Sequence, residues 1–132
     1  IFMRDQGLRP LVKAIRAGRV GYLMPDEDLD HAHSVFAPFF GVSTATLPVV
    51  GRVAKMTGAK VIPVFCRLDR NGRYHVTLGP ALSGFPENDA VADATAVNAA
   101  FEVGIRSAPE QYLWTLRWFR TRPNGEHSPY DT

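Results

Sequence analysis

The sequence has one cysteine, little net charge and no long apolar run. A single thiol, Cys66, cannot form an internal disulfide and is typical of a protein kept in a reducing compartment. No run approaches the roughly 20 apolar residues of a membrane-spanning helix, so we predict no such helix and no signal peptide. The 15 basic and 13 acidic residues give a net charge of +2, which does not by itself indicate a nucleic-acid partner.

The sequence also lacks an initial methionine and begins with Ile1. Its 132 residues, 45% of them hydrophobic, are enough for one domain with an apolar core. We therefore expect a single domain over residues 1–132. We also expect this domain to be the C-terminal part of a larger one whose N-terminal part is missing.

Hydrophobic periodicity predicts alternating helices and strands. The predicted elements are the helices Gly7–Ala17, Leu47–Met56, Ala90–Ser107 and Pro109–Phe119, and the strands Val20–Met24, Lys60–Arg67 and Tyr74–Leu78, the last two joined by a turn at Asp69–Gly72. The order helix–strand–helix–strand predicts a right-handed parallel crossover between Val20–Met24 and Val61–Phe65. The expected fold class is therefore α/β, with a mixed and mainly parallel sheet covered by helices.

A dense polar loop follows the predicted strand Val20–Met24. After Pro25 it holds four carboxylates and two histidines: Asp26, Glu27, Asp28, Asp30, His31 and His33. In open α/β folds, ligands bind where polar residues leave the carboxyl end of a buried strand. Carboxylates there can bind a divalent metal or position a general base, although the spacing matches no EF-hand. The alternative is a solvated acidic loop.

Two other stretches are candidates for binding. Val35–Gly41 places three phenylalanines around a proline, which suits an acyl-chain site, a bilayer surface, or packing beneath the acidic loop. Farther along, Arg117 and Arg120 lie three positions apart and thus on one side of the predicted helix, where arginine is suited to phosphate. The alternatives are an ordinary basic helix face and single-stranded nucleic-acid binding, which the few, local aromatic residues do not favour.

Two motifs carry a resemblance to a known family. The first is the predicted strand followed by Pro25-Asp26-Glu27-Asp28 and then by VFAPFFG over residues 35–41, and the second is PEQYLWTLRWFRTRP over residues 109–123. From about Arg4 to Tyr130 the chain resembles the lipid A biosynthesis acyltransferases of the lauroyl and myristoyl type, a branch of the lysophospholipid acyltransferases. Glu27 departs from the pattern, since the family often has glutamine or histidine at this position.

The resemblance implies transfer of a fatty acyl chain from acyl carrier protein, or another acyl thioester, to a hydroxyl of a phosphorylated lipid A precursor. It implies a location at the cytoplasmic face of the bacterial inner membrane, contact with the membrane surface, no metal or organic cofactor, and no nucleic-acid partner. By the same resemblance, Pro25, Asp26 and Asp28 shape the acceptor pocket. Arg117 and Arg120 would bind the phosphates of the acceptor.

The catalytic signature of that family is a histidine followed five positions later by an acidic residue, and this sequence lacks it. The four histidines, His31, His33, His75 and His127, are followed at that distance by Phe36, Pro38, Pro80 and Thr132. We therefore expect the general base to lie before Ile1 and the isolated chain to be inactive. Two alternatives stay open, a non-catalytic lipid- or partner-binding module and a basic nucleic-acid-binding domain.

Overall fold

The computed structural model describes residues 7–131, so the resemblance that starts near Arg4 begins outside the described residues. Within the described residues, three α-helices and two antiparallel hairpins follow one another. Their bounds are Arg9–Arg16 (α1), Val35–Phe39 (β1), Val42–Thr46 (β2), Val49–Thr57 (α2), Val64–Leu68 (β3), Tyr74–Leu78 (β4) and Ala90–Ser107 (α3). Two 3₁₀ turns follow α3, at Pro109–Gln111 and Pro123–Gly125. Within residues 7–131, each helix is too short or too polar to cross a bilayer.

The mixed α/β class is confirmed, but the expectation of a mainly parallel sheet is wrong. Both sheets are two-stranded and antiparallel, and the predicted strand Val20–Met24 has no regular structure. Three of its side chains are strongly exposed: Val20 99%, Tyr22 71% and Met24 71%. A strand needs a partner, and no described residue hydrogen-bonds to the backbone of residues 20–24. The segment instead lies beside α1, with Gly21 against Ile15, and the crossover to Val61–Phe65 does not form.

The first hairpin, β1–β2, was not predicted as a strand pair. Its register pairs Phe39 with Val42, which leaves Phe40 and Gly41 as a two-residue turn with φ of 48° and 78°. Positive φ at both positions is the requirement of a type I′ turn, whose twist matches the flanking strands. From α3, Glu102 accepts a hydrogen bond of 2.7 Å from the amide of Phe40, so the helix holds this turn in place.

The second hairpin, β3–β4, confirms the predicted turn and the returning strand. Asp69 at its tip accepts hydrogen bonds from the amides of Asn71 (2.8 Å) and Arg73 (2.9 Å), as turn-forming aspartates do. The ring of Phe65 packs so closely on α3 that a Cβ added at Gly104 would overlap it. The absence of a side chain at Gly104 thus allows Phe65 of the hairpin to lie this close to the helix.

The longest helix, α3, has the bounds that the sequence predicts. Asp89 is its N-cap and accepts from the amides of Val91 (2.7 Å) and Ala92 (3.1 Å). Its buried Asn98 donates to the carbonyl of Pro38 (3.1 Å) and to the hydroxyl of Thr46 (2.9 Å). One amide group thus links α3 to both strands of the first hairpin.

The helices α1 and α2 are also confirmed, within two residues of their predicted bounds. The predicted helix over Pro109–Phe119 is wrong beyond Gln111, because the chain continues there in a series of turns. Two side chains fix these turns: the indole of Trp114 donates to the carbonyl of Pro109 (2.7 Å), and Gln111 pairs with the backbone of Leu68. The turns bring Trp118 into the core with Phe39 and Ile105.

Candidate functional site

The acidic loop, residues 25–33, packs against the C-terminal segment, residues 112–122. Pro25 is buried at the start of the loop, and Asp26 and Asp28 are partly exposed as whole residues. The sequence separates the two segments by about ninety positions, since Asp28 and Arg120 differ by 92. The fold therefore joins the two regions that the sequence marked as separate candidates.

Asp28 is the centre of this contact. Its side chain is only 3% exposed, and its Oδ2 accepts a hydrogen bond of 2.7 Å from the amide of Thr121. Its Oδ1 is buried and accepts no hydrogen bond from any described residue. Burying a carboxylate with a hydrogen bond to only one of its two oxygens costs free energy. The positive charge of Arg120 offsets part of that cost.

Arg120 also binds the loop backbone. Its Nη2 donates to the carbonyls of Asp28 (2.7 Å) and Leu29 (3.0 Å), and it lies 4.0 Å from Asp28 Oδ1. The Arg120 side chain is 52% exposed, and no other described residue accepts from its Nη1 or Nε atoms. This arginine therefore fastens the loop and still presents free donors to solvent.

A second connection between loop and segment runs through His31. Its Nε2 donates to the carbonyl of Arg122 at 2.9 Å, and its ring meets Phe36 edge-on at 4.9 Å between centroids. Arg122 in turn donates to the carbonyl of Ser43 (2.9 Å) and to Glu126 (2.8 Å). His31 thus has a structural partner on each side and is not poised as a base.

His33 and Asp30 pair with each other at the end of the loop. The imidazole Nδ1 of His33 is 2.8 Å from Asp30 Oδ1, and the His33 amide donates to the same oxygen at 2.9 Å. The side-chain hydrogen bond from His33 lowers the pKa of Asp30, and the backbone amide lowers it further. This pair is exposed and shapes the end of the loop.

Tyr112 brings a hydroxyl to the same region, where its oxygen is buried near Trp118. Burial raises the pKa of Tyr112, and the negative charge of Asp26 raises it further. Asp26 is therefore close enough to act on the phenol through its charge. Of the predicted loop residues, Asp26 acts on Tyr112 through its charge, whereas Asp28 anchors the loop.

Beneath the loop lies an aromatic floor. Phe39 is fully buried and stacks on Trp118 at 4.8 Å between ring centroids. The other rings in contact with this pair are Phe40, Tyr112 and Phe119. Of the three interpretations of Val35–Gly41, core packing applies to Phe39. Phe40 is partly buried, and the guanidinium of Arg106 lies 4.9 Å from the centroid of the Phe40 ring.

Arg117 does not share a helix face with Arg120, because the predicted helix is absent at both positions. Arg117 is exposed, and its guanidinium lies 5.9 Å from the ring centroid of Tyr130. The two arginines therefore differ in kind, since Arg117 is open to solvent and Arg120 is fastened to the loop.

Two residues of this site, Gln111 and Thr121, were not singled out from the sequence. Gln111 pairs with the backbone of Leu68, and Thr121 donates its own backbone amide, and such contacts leave no signal in a residue pattern. Tyr112 and Arg122 belong to the aromatic and basic C-terminal stretch that the sequence marked as a candidate, but the sequence did not show their contacts. Within residues 7–131, no three histidine, cysteine or acidic side chains converge closely enough to hold a metal ion.

The arrangement is a polar rim of carboxylates and guanidinium groups over an aromatic floor. It offers free donors on Arg117 and Arg120, an acceptor on Asp26 and a buried phenol on Tyr112. Such groups can bind hydroxyls and phosphates of a polar headgroup. The histidine–carboxylate pair of the loop, His33 and Asp30, is exposed at its end, and the groups of the rim named here suit binding.

Comparison with known proteins gives a consistent result. The family described as bacterial lipid A biosynthesis acyltransferase matches residues 1–121. A lipid A biosynthesis acyltransferase of Haemophilus influenzae is 42% identical over 126 residues, which is 93% of this chain and 38% of the relative. The lipid A biosynthesis myristoyltransferase of Escherichia coli is 36% identical over 96% of this chain and 40% of its own length. The lauroyltransferase of the same organism is 37% identical, over 93% and 41%. The chain thus spans about two fifths of the length of these curated relatives.

Proposed function

The chain belongs to the bacterial lipid A biosynthesis acyltransferase family, and from this premise we propose that it forms the acceptor-binding part of an acyltransferase. The enzyme moves a fatty acyl chain from acyl carrier protein, or another acyl thioester, to a hydroxyl of a lipid A precursor. The observation that carries the proposal is the clamp between the acidic loop and the C-terminal segment, made by Asp28, Arg120 and Thr121.

Within this proposal, Asp28 and Pro25 build the acceptor pocket and Asp26 contacts the acceptor. Pro25 is buried where the extended segment turns into the loop, and Asp28 fixes the loop from its far side. Asp26 lies between them and is close to Tyr112. A carboxylate held this way accepts a hydrogen bond from a sugar hydroxyl and orients it.

The phosphates of the acceptor would be bound by Arg117 and Arg120. Arg120 supports this because its Nη2 is engaged with the loop while its other donors face solvent. An acceptor phosphate on those donors would be coupled directly to the loop that carries Asp26. Arg117, which is exposed near Tyr130, is free to bind a phosphate without disturbing the loop.

The chemistry is attack of the acceptor hydroxyl on the thioester carbonyl through a tetrahedral transition state, and it needs no metal or organic cofactor. A general base must take the proton of that hydroxyl, typically a contribution of about 10²–10⁴-fold. The sequence lacks the histidine and acid pair for this role, so the base comes from outside residues 1–132. Because the acceptor is a membrane lipid and the donor a soluble carrier, the proposal locates the reaction at the cytoplasmic face of the inner membrane.

The test is a chimera in which this chain replaces the matching segment of the E. coli myristoyltransferase. We expect the chimera to transfer acyl chains from the carrier thioester to a lipid A precursor. Changing Arg117 to alanine should raise the KM for the phosphorylated acceptor about ten- to a hundredfold. This factor corresponds to the roughly 1.5–3 kcal/mol that a charge-assisted hydrogen bond contributes. Arg117→Lys should restore only part of it, because lysine lacks the planar fork.

The matched control is Arg73→Ala, an exposed arginine on the distant β3–β4 turn, for which we expect a change within about 0.5 kcal/mol. Each variant is compared on acceptors with and without phosphates. A chimera that melts cooperatively but transfers nothing would favour a non-catalytic binding module instead. An Arg117→Ala loss of equal size on both acceptors would remove the phosphate assignment.

A further inference from the structure

A groove lies between α1 and α2, on a part of the molecule that the candidate site does not use. This open groove has a volume of about 570 Å³ and is lined by apolar and basic side chains: Leu8, Val12 and Met56, and Arg9, Lys13 and Arg16. Met56 is 40% exposed in this groove. Among the described residues, 7–131, no acidic side chain lines the groove.

The basic lining follows from the spacing of cations on the two helices. Arg9, Lys13 and Arg16 recur at helical spacing and form one face of α1. On α2, Arg52 lies one turn before Met56 and is thus on the groove side, and Lys55 is exposed beside it. The sequence holds no aspartate or glutamate in residues 7–25 or in residues 31–68, so both helices have only positive charge.

Most of these cations are unengaged. Within residues 7–131, the side chains of Arg9, Lys13, Arg52 and Lys55 take part in no ion pair or side-chain hydrogen bond. Arg16 is the exception, because its guanidinium donates through Nε (2.9 Å) and Nη2 (2.5 Å) to the carbonyl of Met56. That contact ties the end of α1 to the end of α2 and keeps the groove in shape, while the other four charges face outward.

We propose that the groove face of α1 and α2 docks on the anionic headgroups of a phospholipid bilayer. A helix face with lysine and arginine beside exposed aliphatic side chains is the pattern that lies in the membrane interface. Anionic lipids attract each such cation by about 1 kcal/mol. The apolar side chains of the groove would add hydrophobic contact with the bilayer. None of the described side chains that line the groove is aromatic, so those side chains do not provide the base stacking on which single-stranded nucleic-acid binding depends.

The inference rests on the proposed function, because a lipid acceptor must be reached at a membrane. Docking by this face would hold the enzyme on the surface where its substrate resides. It would do so without a membrane-spanning helix in residues 7–131.

The test is sedimentation of the 132-residue chain with vesicles of phosphatidylglycerol and phosphatidylcholine, compared with vesicles of phosphatidylcholine alone. We expect the chain to bind the anionic vesicles and not the neutral ones, and added salt to weaken the binding. Neutralising the groove with Arg9→Gln, Lys13→Gln and Lys55→Gln should weaken binding about 100-fold, at roughly fivefold per cation. Met56→Ser, which keeps every charge, should weaken it as well.

The matched control neutralises three exposed cations of the β3–β4 hairpin, Arg67→Gln, Arg70→Gln and Arg73→Gln, so that the net charge changes equally. We expect this control to retain most of the vesicle affinity. Equal losses in the two triple variants would overturn the docking face, and so would wild-type binding that does not depend on anionic lipid. Circular dichroism of each variant confirms that the helices are retained.

Acyl transfer by the chimera, measured on detergent-solubilised acceptor, separates this inference from the function on which it rests. Groove variants should keep that activity, because the acceptor no longer has to be reached on a bilayer. Vesicle binding that fails while transfer is intact overturns docking alone. Vesicle binding that persists while the chimera transfers nothing overturns the proposed function alone.

Discussion

Tyr112 is the residue whose ionisation the fold changes most clearly. Burial and the charge of Asp26 raise the pKa of its hydroxyl above the ordinary value of about 10. In the unfolded chain the same hydroxyl ionises near that ordinary value. The raised pKa in the folded state therefore contributes to stability below about pH 10, and that contribution is lost as the pH rises through the higher pKa of the folded state.

We accordingly expect the free energy of unfolding to fall as the pH rises above about 10. The change Tyr112→Phe keeps the ring and removes the ionisable group, so its stability should fall less steeply over the same range. Urea denaturation followed by circular dichroism at a series of alkaline pH values measures both slopes.

Tyr74→Phe is the matched control, because Tyr74 is 75% exposed. We expect it to leave the alkaline slope of the wild type unchanged. Parallel loss of stability in the wild type and in Tyr112→Phe would mean that Tyr112 does not cause the effect.

Among the helices and strands, those whose ends are set by local interactions could be predicted from the sequence. The bounds of α3 were predictable because Asp89 caps it locally, and the turn of β3–β4 because Asn71 and Gly72 encode it. Val20–Met24 was predicted wrongly because a strand exists only with a partner, and a sequence pattern does not contain one. The hairpin β1–β2 was missed because Pro38 interrupts its run and the non-glycine residue Phe40 takes a positive φ in its turn.

The contact between β3 and α3 makes a prediction about Gly104. In the interior of a helix, glycine to alanine ordinarily stabilises by about 1 kcal/mol. Here the new methyl would meet the ring of Phe65, so we expect Gly104→Ala to destabilise by about 1–3 kcal/mol, as overpacking does. Urea denaturation of the variant measures the difference.

A second change tests the cause of that loss. In a Phe65→Leu background the ring is gone, and Gly104→Ala should then cost much less or stabilise. This double-mutant cycle isolates the pair. A loss of the same size in both backgrounds would show that the helix, and not the hairpin contact, resists the methyl group.

At the scale of the whole molecule, the sequence marked the residues of the candidate site but not their contacts. Pro25, Asp26, Asp28, Arg117 and Arg120 were all identified from two motifs. That Arg120 fastens the loop while Arg117 remains open was not predictable, because it depends on turns that replace the expected helix. Their roles toward a substrate remain predictions.

For the molecule as a whole, we expect the isolated 132 residues to have no acyltransferase activity. No histidine in the sequence is followed five positions later by an acid, and loss of general base catalysis alone costs about 10²–10⁴-fold. The assay uses the carrier thioester and a lipid A precursor, with the chimera as the positive control. Turnover by the isolated chain would contradict both the expectation and the need for an external base.

The long separation between the acidic loop and its partners also bears on biosynthesis. Arg120 and Asp28 are 92 positions apart, so the loop leaves the ribosome well before the residues that fasten it. At about 5–20 residues per second, that interval is roughly 5–20 s. During this time both hairpins, α2 and α3 can form in turn, while Asp28 lacks its contacts with Arg120 and Thr121. The contact between the acidic loop and the C-terminal segment therefore forms only after most of the other described elements have left the ribosome.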